Sequence, residues 1–79
     1  MEAILDFINS KVREEHGNRI TIDSMWIDAN VDSFGTTMVF LEMDEKYGCF
    51  DKDWLSVTKI SELSIKEIVK KVLDESTKL

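Results

Sequence analysis

Apolar residues recur at helical spacing in the first stretch of the chain. Ile4, Leu5, Phe7, Ile8 and Val12 gather on one face of residues 2–15, with Glu2, Asp6, Lys11, Arg13 and Glu14 elsewhere, which predicts an amphipathic first helix. His16-Gly17 predicts its end, the glycine in the left-handed C-terminal position and the histidine complementing the helix dipole. Residues 18–31, NRITIDSMWIDANV, keep no helical period. Ile20-Thr21-Ile22 alternates like a strand but has no partner segment, and an unpaired strand leaves its backbone groups unsatisfied. An ordered loop pinned by Ile22, Trp26 and Val31 is therefore expected.

A second helix is predicted from near Ser33 to about Tyr47, stopped by Gly48, with Thr36, Val39, Phe40, Met43 and Tyr47 on its core side. Residues 53–61, DWLSVTKIS, predict a short third helix or helical turn carrying Trp54, Leu55 and Ile60. Ser64-Ile65-Lys66-Glu67 is a capping box, with Leu63 and Ile68 placed to form a hydrophobic staple. Behind it Ile65, Ile68, Val69, Val72 and Leu73 form the apolar stripe of a last helix. The expected fold is all-α: a small four-helix bundle with a long loop between helices 1 and 2 and a short helix 3.

Length and composition narrow this further. A chain of 79 residues is expected to form a single domain, 1–79, around one core, without a cleft between two halves. No apolar run approaches the roughly 20 residues of a membrane span, and the opening MEAILDF lacks the basic and apolar regions of a signal peptide, so a soluble cytoplasmic protein without membrane insertion is expected. A lone Cys49 and a lone His16 supply neither a disulfide nor a structural zinc site, and Cys49 is expected to be a small structural thiol. Between Asp23 and Asp53 eight acidic residues face only Lys46 and Lys52, which accounts for the whole net charge of -6. That balance disfavours nucleic acid and favours basic protein surfaces as partners, on a chain expected to be monomeric.

Candidate chemistry centres on residues 28–36. Asp28, Asn30 and Asp32 match the first three ligands of a calcium-binding EF-hand loop, but the required glycine and bidentate glutamate are replaced by Ser33 and Val39, so no metal site is expected. Asp32-Ser33 offers two candidate helix caps where one suffices. With Asp32 as cap, Ser33 occupies the first helical position and keeps its hydroxyl free. Gly35 then falls in the first turn at a cost of about 0.5–1 kcal/mol against alanine, a broken local rule that points to a site approached by another molecule. Unpaired amides and the positive end of the helix dipole suit a phosphate there. No general base, nucleophile elbow or phosphate-binding glycine loop accompanies the serine, so the chain is not expected to be an enzyme and any modification must come from another protein.

On these residues the chain resembles the acyl carrier proteins, whose signature is Asp-Ser-Leu at the start of the second of four helices. The resemblance covers nearly the whole chain: an amphipathic helix, a long loop, Asp32-Ser33-Phe34, a helix ending Glu-Lys-Tyr-Gly over Glu45 to Gly48, a short helix and a final helix. It implies 4′-phosphopantetheine esterified to Ser33 by a phosphopantetheinyl transferase, the arm's thiol carrying an acyl group between acyl-transferring or acyl-modifying enzymes, as in fatty acid or polyketide biosynthesis. Asn30 stands where the family has glycine, Phe34 replaces leucine, and Met38 occupies the place of a partner-contacting glutamate. The Asp-Ser-Phe-Gly-Thr run and Trp54 also resemble the D-alanyl carriers. A different class with the same composition is an unmodified acidic helical interaction module.

The helical wheel adds a docking surface. At roughly 100° per residue Phe34, Met38, Leu41 and Glu45 lie opposite the core side, and Gly35 and Glu42 are expected to continue that face, giving an apolar strip with an acidic border. The competing expectation is that Phe34 and Leu41 tuck against Trp26 or Ile27. One decoy exists for the attachment site: Ser24, in Asp23-Ser24-Met25, with no clear helix behind it.

Overall fold

Helix ends and loop anchors decide how the chain closes on itself. The computed structural model describes residues 2–77 and contains α1 (Glu2–Glu14), α2 (Ser33–Tyr47), α3 (Lys52–Val57) and α4 (Ile65–Glu75), with 3₁₀ turns at Trp26–Ala29 and Ile60–Glu62. The architecture is all-helical. Among the described residues no helix is long and apolar enough to cross a membrane.

Helix α1 buries Ile4, Ile8 and Val12, one residue per turn, with Leu5 and Phe7 packed beside them. Its end departs from expectation. The Gly17 amide donates to Val12 O (2.9 Å) and the His16 amide to Arg13 O (3.0 Å), a Schellman pattern in which His16, at φ 61°, takes the left-handed position predicted for Gly17. Gly17 answers a different need: a Cβ there would lie 2.5 Å from Val31 Cγ2, 2.6 Å from Val12 Cγ1 and 2.8 Å from Ala29 O. The loop crosses the helix end at a distance only glycine permits.

That loop is pinned by Ile20, Trp26 and Ala29, all buried, whereas Ile22 and Val31, two of the three expected anchors, are only half-buried. The Asn9 side chain grips the Ile20 backbone from both sides, donating to its carbonyl (2.9 Å) and accepting from its amide (2.8 Å). Ile20-Thr21-Ile22 thus needs no strand partner. Further along, Trp26 N donates to Leu63 O (2.8 Å) and Ile65 N to Ser24 O (2.9 Å), which ties the loop to the entrance of α4.

Helix α2 starts at an Asp32 cap and stops at Gly48, φ 74°, whose amide bonds Asp44 O at 2.7 Å. Thr36, Val39, Phe40, Met43 and Tyr47 are buried, as its period requires. Asp51 caps α3 through Trp54 N (2.8 Å), and no residue of that six-residue helix is fully buried. The segment is held instead by Phe50 just before it, 0 % exposed, whose ring meets Phe40 at 5.4 Å and Trp54 at 5.3 Å.

At α4 the capping box forms as the residues predict: Glu67 N donates to Ser64 Oγ (3.1 Å) and Ser64 N to Glu67 Oε1 (3.4 Å). Ile65, Ile68, Val69 and Val72 are buried, but Leu73 is 50 % exposed and is not part of the packed stripe. At roughly 100° per residue Leu73 sits about 40° beyond Val69, outside the arc that α4 turns to the core. Cys49 is half-buried against this core, and burial pushes its thiol up to about 11, which keeps it protonated.

Candidate functional site

The start of α2 is built from one carboxylate. Asp32 is extended (φ -68°, ψ 175°); its Oδ1 accepts from Gly35 N at 2.7 Å and its backbone oxygen from Thr36 N at 2.8 Å. Asp32 is therefore the cap. Ser33 becomes the first helical residue and is exposed; its carbonyl accepts from Thr37 Oγ1 (3.0 Å), while its hydroxyl has no hydrogen-bond partner among the described residues. Ser24 differs, because its hydroxyl accepts from Thr21 N (3.0 Å) and pairs with Thr21 Oγ1 (3.2 Å).

Gly35 is not on the outer face where the wheel put it. It is buried, and a Cβ there would lie 2.6 Å from Val31 Cγ1 and 3.0 Å from Glu15 Oε1. The close approach that excludes a side chain is made by the chain's own loop, which removes the need for a visiting molecule to explain the glycine. Thr36 fastens the same corner: it accepts from Trp26 Nε1 (3.1 Å) and donates to Val31 O (3.4 Å). Loop and first turn are thereby held together directly beneath Ser33.

Asp28 and Asp32, the would-be calcium ligands, are turned to backbone amides, Asp28 Oδ2 accepting from Met25 N at 2.9 Å as Asp32 does from Gly35. Among the described residues no cluster of histidine, cysteine or carboxylate side chains gathers in metal-binding geometry.

The outer strip of α2 is present. Phe34 is 73 % exposed, and Met38 and Leu41 are exposed to 38 % and 39 %, so Phe34 does not tuck against the loop. Its acidic border is thinner than expected. Glu42 is half-buried and leans toward α1, where Lys11 Nζ lies 3.6 Å from it and 3.2 Å from Glu14. The hydrogen bond to Glu14, with lesser help from Glu42, holds the Lys11 proton above the ordinary lysine range. Glu45 remains exposed on the same side, near Lys46.

One feature had no signal in the sequence. A groove of about 380 Å³ opens beside Ser33, walled by Trp26, Ile27, Asn30, Thr37, Thr58 and Ser61 among others. Its walls come from the two 3₁₀ turns and the first turn of α2, segments some 30 residues apart that periodicity cannot relate. Set against family models, curated proteins and solved structures, the chain matches none of them.

Proposed function

We propose that this chain is an acyl-carrier-type protein, not itself an enzyme, that bears 4′-phosphopantetheine on Ser33 and passes an acyl group between partner enzymes in the cytoplasm. The observation that carries the reading is the division of labour at the start of α2. Asp32 does the capping, so Ser33 presents an exposed hydroxyl without a hydrogen-bond partner among the described residues at the positive end of a 15-residue helix. A phosphodiester fits there: it meets open solvent on one side, and the Ser33 and Phe34 amides lie in the first turn, where no intrahelical acceptor reaches them.

Among the described residues no base touches the Ser33 hydroxyl, so on this reading its proton leaves to a separate transferase. In that step Ser33 Oγ attacks the phosphorus that carries the pantetheine in coenzyme A. The new P–O bond replaces the pyrophosphate bond, and the adenosine bisphosphate departs. Once attached, the arm supplies a thiol that holds an acyl group as a thioester. Phe34, Met38 and Leu41 supply the contact for the transferase and for the acyl-handling enzymes, with Glu45 and the acidic middle of the chain guiding basic surfaces toward it.

Intact mass after incubation with a phosphopantetheinyl transferase and coenzyme A tests the reading. The wild-type chain gains one phosphopantetheine, and Ser33→Ala gains none while Ser24→Ala still does. Absence of any gain in the wild type leaves the acidic interaction module as the surviving class.

A further inference from the structure

The only two arginines of the chain, Arg13 and Arg19, line one small cleft at the end of α1. Asn9 and Arg13 stand four residues apart and so share a face of the helix. Arg19 comes to the same cleft from the loop, because Asn9 grips the backbone of the adjoining Ile20 with bonds of 2.9 and 2.8 Å. Val12 and Gly17 complete the walls, and no lining residue is acidic.

The two guanidiniums have no ion pair and no side-chain hydrogen bond among the described residues, in a chain with 16 acidic residues. The nearest carboxylates in sequence are turned elsewhere. Glu14 Oε2 pairs with Lys11 Nζ at 3.2 Å, and Glu15 Oε1 lies toward α2, 3.0 Å from where a Cβ on Gly35 would stand. Asn9 Nδ2 spends one N–H on Ile20 O and keeps the other for the cleft.

Two unpaired guanidiniums on one concavity select an anion. Their planar forks match phosphate oxygens in pairs, and a phosphate monoester, at about -1.5 to -2 near neutral pH, balances both charges. A carboxylate would leave one of them uncompensated. The cleft has a volume of about 80 Å³, whereas a pocket that encloses a whole small molecule needs roughly 300–1,000 Å³. It has room for one group, with the rest of its bearer outside. The net charge of -6 and the negative end of the α1 dipole oppose any anion. At that helix end the Val12 and Arg13 carbonyls are occupied by the Gly17 and His16 amides, at 2.9 and 3.0 Å, so the two forks must supply the affinity by direct contact.

We propose that the cleft between Arg13 and Arg19 is a binding site for the terminal phosphate of a phosphate monoester. The site is separate from Ser33 and does not depend on any group carried there.

The test titrates the ¹⁵N-labelled full chain with methyl phosphate, inorganic phosphate and acetate at constant ionic strength, following the Asn9 side-chain amide and the Nε–H signals of both arginines. Methyl phosphate is expected to move all three together, saturably and with one affinity, and acetate to bind at least about tenfold more weakly, since a charged hydrogen bond contributes about 1.5–3 kcal/mol and 1.4 kcal/mol is tenfold. Arg13→Gln and Arg19→Gln should each weaken methyl phosphate at least about tenfold by the same reasoning, with unchanged circular dichroism because both side chains are exposed. Arg→Lys at either position should fall between wild type and Gln, keeping the charge and losing the fork. Lys59→Gln, remote from the cleft and exposed, should change nothing. If Arg13→Gln disturbs α1, Arg19→Gln in the loop still decides the matter. Shifts that do not saturate, equal losses in Lys59→Gln, or acetate binding as tightly as methyl phosphate would each overturn the assignment. Binding of inorganic phosphate without methyl phosphate would overturn it too, because the occupant would then be a free ion and not the end of a larger molecule.

Discussion

Replacing Gly35 by alanine sets two effects of similar size against each other, and the structure decides the sign. Alanine in a helix is favoured over glycine by about 0.5–1 kcal/mol, so a substitution in an open first turn stabilises. At Gly35 the added methyl would lie 2.6 Å from Val31 Cγ1, 3.0 Å from Glu15 Oε1 and 3.1 Å from Asp32 Oδ1. The Glu15 side chain can swing away. Val31 has stiff branching at Cβ and packs against the core, and Asp32 is held by its bond to the Gly35 amide itself. Overpacking of this kind costs about 1–3 kcal/mol, so the net expectation is a loss of about 1–2 kcal/mol. For a domain of this size that lowers Tm by roughly 5–15 °C. Urea denaturation followed by tryptophan fluorescence measures it, since Trp26 is buried and reports on the same corner. The mechanism also predicts coupling: in a Val31→Ala background Gly35→Ala should cost much less than in the wild type. A Gly35→Ala protein more stable than wild type, or an equal loss in both backgrounds, would refute the reasoning and return the glycine to a role toward another molecule.

The division of labour between Asp32 and Ser33 predicts that Asp32→Ala loses about 1 kcal/mol through the cap. Ser33→Ala, which removes a hydroxyl with no hydrogen-bond partner among the described residues, should change stability by less than about 0.5 kcal/mol in the same urea assay while abolishing the mass gain. On the outer strip, Met38→Ala should weaken transfer to a cognate enzyme more than Glu42→Gln does, with circular dichroism unchanged in both; the reverse order would argue against an apolar grip. Glu42→Gln should cost under about 0.5 kcal/mol, because its ion pair with Lys11 is partly exposed. Alkaline pH gives a further expectation. Burial raises the Cys49 thiol from 9.0 to about 11, so the stability it contributes is whole below pH 9 and falls away as pH rises from 9 toward 11. Burial also raises Tyr47, which loses stability in the same direction, so Cys49→Ser should reduce the alkaline loss of Tm without abolishing it.

What could be read in advance was local. The Asp32 cap, the Gly48 stop and the Ser64-Glu67 box each depend on residues within four positions of one another, and all three form as their residue types require. The buried faces of α1 and α2 follow from period alone, and with them the exposed Phe34-Met38-Leu41 strip. What the sequence did not disclose depends on where distant segments meet. Gly17 and Gly35 look like a helix stop and a helix fault, yet each is fixed by Val31 crossing overhead. Leu73 shares the apolar character of its helix but lies past the arc its neighbours cover. Ile20 and Phe50 sit in stretches without period and are among the most buried residues, because their surroundings come from other elements. The groove at Ser33 exists only because two 3₁₀ turns, one before α2 and one after α3, pack against each other. Local hydrogen bonding and period are properties of neighbouring residues, so composition and order determine them; close approach and enclosure are relations between segments that only the folded chain brings into contact.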